Sequence, residues 1–295
     1  MQSFFDSDQH PDFSGGRVAA KNSDWVDIQL HMQRGVCLTP LLPLGHDAAF
    51  VWVPKNGCST LKHAWLRLNL VDPSSILDVH CDALRYTNWL TERQFRALSQ
   101  NRSITAVWRD PIDRFVSACR SHLKELTAAR FAAKLRNFYP DDSSLAVAMK
   151  WHQMLFADLD IRPFTDEVEP CDAMNSVAQR LPAWISAHLD WSHHVLPQVQ
   201  YLGFEPTCYQ TILGMDQITS LVDHWSRVSG LSLGQSALHV SASMVNNDPW
   251  RGLNRNQLTS SSVAALCEFY KADWDFIELA RKRLGLWPGF ASPHP

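Results

Sequence analysis

Apolar residues fall into two short runs and several longer periodic segments along the chain. The first run, Ala48 to Val53, is rich in β-forming residues and stops at Pro54, which predicts a buried strand. Over residues 58–70 the apolar positions recur three and four apart, which predicts a helix with one buried face. The second run, Ser103 to Trp108, predicts another buried strand, and Pro111 lies where the next helix would begin.

The remaining pattern is mostly helical. Helical periodicity recurs over residues 144–158, 173–189, 216–229 and 260–284. Two strand–loop–helix units followed by helical sequence are typical of an α/β fold, with a central parallel sheet flanked by helices and a helix-rich C-terminal half. Residues 1–24 are polar and contain glycine, which predicts a flexible N-terminal arm before a single domain over residues 25–295.

The composition is that of a folded globular protein. The chain is 45% hydrophobic and 19% charged, which excludes disorder as its main character. A net charge of -3 gives no global attraction to nucleic acid or to an anionic membrane, so neither is an expected partner. The N-terminus lacks the apolar segment of a signal peptide, and no run of 18 apolar residues predicts a membrane span. The seven cysteines contain no CxxC pair, so we expect free thiols and a cytoplasmic location.

The segment VPKNGCSTLK, residues 53–62, has the composition of an anion-binding loop between a strand and a helix. Helix N-termini present backbone N–H groups and the positive end of the helix dipole. Gly57 would let the backbone approach an anion closely, and Lys55 adds charge. Lys55 precedes Gly57, whereas a Walker A loop places its lysine after the glycines, so this is not a Walker A loop. Taken alone, a capped helix with an exposed lysine explains the segment equally well.

The segment RDPIDRFVS, residues 109–117, also lies at a strand end and a helix start. Asp110 suits a helix N-cap. An arginine fork and a hydroxyl, here Arg109 and Ser117, can share one phosphate through charge-assisted hydrogen bonds. Arg114 would lie on a helix face close to that of Ser117, although a surface ion pair is the preferred interpretation for it. A capped helix with solvated arginines is the alternative for the whole segment.

Together, PKNGCST and RDPIDRFVS resemble the two nucleotide-binding segments of the sulfotransferases that use 3′-phosphoadenosine 5′-phosphosulfate (PAPS). In that family a PKxGxT-like loop holds the 5′-phosphosulfate, and an RDPxxRxxS segment holds the 3′-phosphate. Cys58 and Lys62 make the loop more similar to the carbohydrate sulfotransferase branch, whose loop reads PKxxCTxxK. More loosely, HHVLPQ at residues 193–198 resembles the branch's HxxPQ element, and YKADW at residues 270–274 resembles its YxxD[WYF] helix.

The resemblance implies a P-loop-like sheet and in-line transfer of a sulfuryl group from PAPS to a hydroxyl or amine, with release of adenosine 3′,5′-bisphosphate. Lys55 would stabilise the charge that grows on the bridging oxygen, a contribution of about 3–4 kcal/mol. The residues implied in binding the co-substrate are Lys55, Asn56, Gly57, Cys58, Ser59, Thr60, Arg109 and Ser117. This chemistry requires no metal, and no His/Cys/Asp cluster has convincing ligand spacing.

An alcohol acceptor needs a base to take its proton, and histidine suits this role near neutral pH. His80 is the first candidate, because related sulfotransferases often supply a histidine from this part of the chain. His193 and His194 are second candidates, although adjacent residues cannot both point inward on a helix or strand. For each histidine a hydrogen-bonded structural role is the alternative. Lys62, further along the loop helix, is equally compatible with facing the pocket or the solvent.

Two other classes of protein remain as alternatives. A P-loop-like phosphotransferase would need a GK[ST] loop and a magnesium-binding aspartate after a strand. A non-catalytic nucleotide-binding module that kept the fold would usually have lost the lysine at position 55, which is present. Met215 stands where the resembled branch has an acidic residue before Asp216, so the sequence departs from the resemblance in the acceptor region. The acceptor stays open between a small metabolite and a saccharide or lipid-linked saccharide.

Overall fold

The computed structural model describes residues 22–45, 47–69, 78–233 and 248–284 of the chain. Its strands are β1 (Leu38–Pro43), β2 (Ala48–Val51), β3 (Asn88–Thr91), β4 (Ser103–Trp108) and β5 (Thr211–Gly214). Its α-helices are α1 (Asn22–Gln33), α2 (Cys58–Leu68), α3 (Val79–Leu84), α4 (Glu92–Ser99), α5 (Pro111–His122), α6 (Ala128–Phe138), α7 (Asp142–Asp158), α8 (Pro170–Gln179), α9 (Leu181–Ala187), α10 (Leu189–Ser192), α11 (Val199–Leu202), α12 (Ile218–Ser229), α13 (Ser260–Phe269) and α14 (Lys271–Leu284). Short 3-10 helices connect several of these elements.

Contacts between Cα atoms group the chain into two units. The first unit holds the sheet and comprises, within the described residues, everything up to residue 110 together with 197–233 and 272–284. The second unit is helical and comprises 111–196 and 248–271. The single domain over residues 25–295 stays a prediction. The predicted arm, residues 1–24, lies outside the described residues up to position 21, and its last three residues are the first of α1, Asn22–Gln33.

The sheet of the first unit has five strands within the described residues, in the order β3-β1-β2-β4-β5. β2 pairs in parallel with β4, and β4 with β5. β1 is antiparallel to both of its neighbours, so it runs against the other four strands. The α/β class is therefore confirmed, but the sheet is not wholly parallel as predicted. The short connection between β1 and β2 permits only antiparallel pairing, whereas parallel neighbours need a longer crossover.

β1 is a strand that the hydrophobic pattern did not predict. Its sequence, LTPLLP, contains Pro40 and Pro43, and proline usually stays on edge strands because it cannot donate to the ladder. Nevertheless β1 lies inside the sheet, between β3 and β2. Leu41 and Leu42 are fully buried there. The burial of these leucines, which depends on the rest of the sheet, outweighs the missing donors.

The predicted strands and helices are largely confirmed. β4 has the predicted bounds, whereas β2 ends two residues before the predicted end at Val53. The helical pattern of residues 144–158 corresponds to α7, and that of 216–229 to α12. The pattern of residues 173–189 is divided between α8 and α9, because Pro182 cannot continue the hydrogen bonding of the preceding helix. The last pattern, residues 260–284, is also divided into two helices, α13 and α14, which are separated at Tyr270.

The second unit is held together by buried polar side chains as well as by its apolar core. Arg114 is fully buried and donates from Nη1 to the carbonyl oxygen of Leu196 at 2.6 Å. The preferred sequence interpretation, a surface ion pair, is therefore wrong for Arg114. The Tyr270 hydroxyl donates to the carbonyl oxygen of Val195 at 2.7 Å. Parts of both loosely matched segments thus serve the structure of this unit.

Candidate active site

The loop from β2 to α2 has an unusual backbone at two positions. Lys55 and Gly57 both have φ of 68°, in the left-handed region. Glycine adopts this conformation easily, whereas it costs a residue with a side chain roughly 1–2 kcal/mol. Gly57 is the N-cap of α2 and has no side chain with which to cap the amides of the first helical turn, at Cys58, Ser59 and Thr60. The loop therefore ends on a helix N-terminus whose dipole and amides favour an anion.

Gly57 is also required by close packing. A Cβ atom at this position would lie 2.2 Å from Cδ1 of Ile218, a buried residue at the start of α12. Met215 contacts the same point at 3.7 Å. The loop and the start of α12 therefore approach each other closely, and the sequence pattern did not predict this contact.

Replacing Gly57 by alanine should lower the free energy of unfolding by about 2 kcal/mol, from the left-handed φ together with the displaced Ile218 side chain. Removing Cδ1 with Ile218→Val should relieve the contact, so the double variant should be less destabilised than the sum of the two single variants. Urea denaturation of the four proteins measures this coupling. Strict additivity of the two changes would contradict the close contact.

The two predicted anion-binding segments meet directly in the first unit. Lys55 follows β2 and Arg109 follows β4, and these strands are parallel neighbours, so their carboxyl ends lie at the same edge of the sheet. The Arg109 guanidinium donates from Nη1 to the carbonyl oxygen of Lys55 at 2.8 Å. Both side chains are half-buried. The crevice outside the carboxyl ends of parallel strands is the usual place for ligands in open α/β sheets.

Asn56 shapes this junction from within the protein. Its side-chain amide donates to the carbonyl oxygen of Val107 at 2.8 Å and to Oε1 of Gln198 at 2.6 Å. Its backbone N–H donates to the carbonyl oxygen of Val53 at 3.1 Å. Asn56 is only 1% exposed, so we expect it to set the path of the loop rather than to bind a ligand. Its predicted part in co-substrate binding gains no support from this geometry.

Gln198 connects both segments, and the sequence interpretation missed this role. Besides the bond from Asn56, its Oε1 accepts from the backbone N–H of Arg109 at 3.3 Å, and its Nε2 donates to the carbonyl oxygen of the same residue at 2.8 Å. Asp273, fully buried on α14, accepts from the backbone N–H groups of Gln198 and Val199, each at 2.9 Å. The sequence did contain a signal for this role. The PQ motif supplies Gln198, and the YxxDW motif supplies Asp273.

His80 lies beside the loop helix. Its Nε2 is 3.0 Å from the Ser59 hydroxyl oxygen, and both residues were predicted site residues. His80 is exposed and lies in the first turn of α3, a helix of six residues. Asp78 caps this helix, because its Oδ1 accepts from the backbone N–H groups of His80 and Cys81 at 2.7 and 3.1 Å. These bonds hold the pKa of the Asp78 carboxyl below its ordinary value, so it stays ionised at neutral pH.

Lys62 faces neither a pocket nor the solvent. It is 1% exposed, and its Nζ lies 3.3 Å from the centroid of the Trp52 ring. Burial lowers its pKa from 10.5 to about 8, although the nearby Cys58, Asp78 and Cys81 act in the opposite direction. Lys62 therefore takes neither of the two orientations left open by the sequence. Its side chain is a buried cation packed on an aromatic ring.

Three predicted residues lie in the second unit. Ser117 is half-buried on α5, so its part in binding a 3′-phosphate stays a prediction. The rings of His193 and His194 lie 3.8 Å apart between centroids, and the ring of His194 stacks on that of His122 at 4.0 Å. Packing within the second unit accounts for these ring contacts. Of the candidate bases, His80 contacts the loop helix through Ser59.

Comparisons of the chain with protein-family models, with curated proteins and with solved structures find no match. Over the described ranges, no helix is both long and apolar enough to cross a membrane. In the same part of the chain, no three His, Cys, Asp or Glu side chains are grouped so that they could hold a metal ion. The function therefore has to be inferred from the loop, its helix and the side chains around them.

Proposed function

We propose that this chain is a P-loop-like sulfotransferase, which transfers a sulfuryl group from PAPS to a hydroxyl or amine of a small metabolite or saccharide. The observation that carries the proposal is the bond from Arg109 to the carbonyl oxygen of Lys55. It joins the two segments of the sulfotransferase resemblance at one edge of the sheet, although they are 54 residues apart in the chain.

The loop fits the phosphosulfate end of such a co-substrate on independent grounds. A left-handed Lys55 followed by a left-handed Gly57 turns the backbone into the start of α2. Strained backbone of this kind persists where the surrounding structure fixes it, and it is concentrated at binding sites. The amides of the first turn of α2 would hold the phosphate, and the bond to Arg109 keeps the loop in place.

Each side chain has a distinct task in the proposed reaction. The ammonium group of Lys55 would stabilise the negative charge on the leaving bridging oxygen as the sulfur–oxygen bond breaks. His80 would take the proton of the attacking hydroxyl, and the Ser59 hydroxyl at 3.0 Å holds its ring towards the helix N-terminus. The guanidinium of Arg109 adds positive charge for the phosphates. Asn56 and Gln198 would keep the loop and Arg109 in register.

Binding of adenosine 3′,5′-bisphosphate tests this proposal most directly. Calorimetric titration with EDTA present should show micromolar or tighter binding to the wild type. Arg109→Ala should weaken binding by about 10- to 100-fold, since charge-assisted hydrogen bonds contribute roughly 1.5–3 kcal/mol. Arg93→Ala is the matched control, because Arg93 is exposed on α4, and it should bind as the wild type does.

Two results would count against the proposed function. Absence of binding to a folded wild type would exclude a PAPS site, and binding of ATP with magnesium instead would favour the phosphotransferase alternative. Binding of the bisphosphate without turnover of PAPS against a panel of alcohols, amines and saccharides would favour the non-catalytic nucleotide-binding module.

A further inference from the structure

We infer that Lys62 is a positioning residue of this site: its buried ammonium group, over the Trp52 ring, holds α3 against α2 and so keeps the ring of His80 at Ser59. The effect on catalysis rests on the proposed function. The effect on α3 does not, and it can be measured without any substrate.

Lys62 is suited to act through other residues because it cannot reach a ligand. It is 1% exposed, and its Nζ lies over the face of Trp52. A buried charge is costly unless it is compensated. The ring of Trp52 offers one compensation, since a desolvated cation–π contact is favourable. The carboxylate of Asp78 offers the other, because it favours the charged form of Lys62 and Lys62 in turn favours the ionised form of Asp78.

These two partners hold opposite ends of α3. At the N-terminal end, Asp78 caps the backbone N–H groups of His80 and Cys81. At the C-terminal end, the Trp52 indole donates to the hydroxyl of Thr87 at 3.2 Å, and that hydroxyl donates to the carbonyl oxygen of Ala83 at 3.0 Å. α3 has only six residues, and so short a helix has little stability of its own. Its position therefore depends on contacts with neighbouring residues, among them the bonds from Trp52, the ring on which Lys62 packs, through Thr87 to Ala83.

The charge on Lys62 changes within an accessible pH range. Burial lowers its pKa to about 8, so the ammonium group is neutralised as the pH rises through this value. The titratable groups whose charges act on it within the described residues are Cys58 on α2, Asp78 at the N-cap of α3 and Cys81 on α3. α12 also packs against α2, but none of its titratable side chains is among these neighbours in the described part. Neutral Lys62 would no longer attract Asp78, so we expect α3 to loosen on condition that the Lys62 side chain stays packed on the Trp52 ring when the helix moves.

Global stability should change in the opposite direction. The pKa of Lys62 is about 8 in the folded protein, against an ordinary value of 10.5 in an unfolded chain, so the unfolded chain binds more protons between these limits. The contribution of Lys62 to the free energy of unfolding is therefore fully present above 10.5 and is lost as the pH falls to about 8. Titration of Lys62 therefore does not promote global unfolding at pH 9, so a loosening of α3 at that pH would be a local change.

Hydrogen exchange on the full chain tests the inference. In Lys62→Met, the amides of His80 and Cys81 should exchange about tenfold faster than in the wild type at pH 7, after correction for intrinsic rates. The wild type should lose a similar protection between pH 7 and pH 9, whereas the variant should lose little more. Amides of β4 should keep their protection. Lys150→Met, at an exposed lysine on α7, is the matched control and should behave as the wild type does.

Unchanged protection in Lys62→Met at pH 7 would overturn the inference and leave Lys62 as a packed core residue. Amide protection of the wild type, compared between pH 7 and pH 9, tests the same role of Lys62 without a variant. Where PAPS turnover is observed, Lys62→Met should lower kcat with KM for PAPS nearly unchanged, and it should lose the alkaline decline near pH 8. Failure of the chain to bind adenosine bisphosphate would refute the proposed function while the exchange result still decided the role of Lys62.

Discussion

Asp273→Ala should lower the free energy of unfolding by about 3–5 kcal/mol, because it removes a buried carboxylate from two backbone donors. Asp273 is fully buried, and its two oxygens accept from Gln198 and Val199 at 2.9 Å each. Alanine would leave both N–H groups in an apolar interior without this acceptor. Small domains are stable by only about 5–15 kcal/mol, so the variant would retain a reduced margin.

Urea denaturation followed by circular dichroism measures this effect. Asp273→Asn should cost less than alanine, since its amide oxygen can still accept one hydrogen bond. Asp275→Ala is the matched control, because Asp275 is exposed two residues further along α14, and it should change stability by no more than about 0.5 kcal/mol. A denaturation midpoint of Asp273→Ala equal to that of the wild type would show that Asp273 does not support the Gln198 segment.

Lys55 should show opposite effects on stability and on activity. Lys55→Gly should raise the free energy of unfolding by about 1 kcal/mol, because glycine adopts a φ of 68° without strain. The same variant, and Lys55→Met, should lower PAPS turnover by about 100- to 1000-fold, the usual effect of removing one donor to a developing anion. Binding of adenosine bisphosphate should change much less, since the loop amides and Arg109 remain.

Asp160 provides a matched control for the strain at Lys55. It is the other described residue with a side chain and a positive φ, 50°, and it lies in the second unit on the surface. Asp160→Gly relieves backbone strain but removes the ion pair with Arg180 at 2.7 Å, an exposed pair of small value. It should leave turnover unchanged. Loss of stability in Lys55→Gly, or full turnover in Lys55→Met, would contradict the role given to Lys55.

Stability and function are connected in this molecule through the same few polar groups. Asp273 holds the backbone of Gln198, and the side chain of Gln198 holds both Asn56 and Arg109. Buried polar groups of this kind are favourable only when each is paired, so a change in one is transmitted to the others. We therefore expect a variant at Asp273 that still folds to bind adenosine bisphosphate less tightly as well.

Much of the site could be predicted from the sequence because its elements are local. A short run of β-forming residues, a loop with Gly57 and a periodic apolar face are properties of neighbouring residues, and they predicted β2, the loop and α2. The bounds of β4 and the helix start after Arg109 followed for the same reason. β1 was not predictable in this way, since its prolines oppose a strand and only burial in the sheet explains it.

The sequence by itself determined which chemical groups are present and where strands turn into helices, because hydrophobic periodicity and turn residues act over a few positions. Only the tertiary structure decided which of these groups meet. It brought Arg109 to the carbonyl of Lys55, joined Gln198 to both Asn56 and Arg109, set His80 on Ser59 and buried Lys62 against Trp52. Such contacts join residues far apart in the chain, and their energies depend on burial and on the pairing of polar groups, which no local pattern contains.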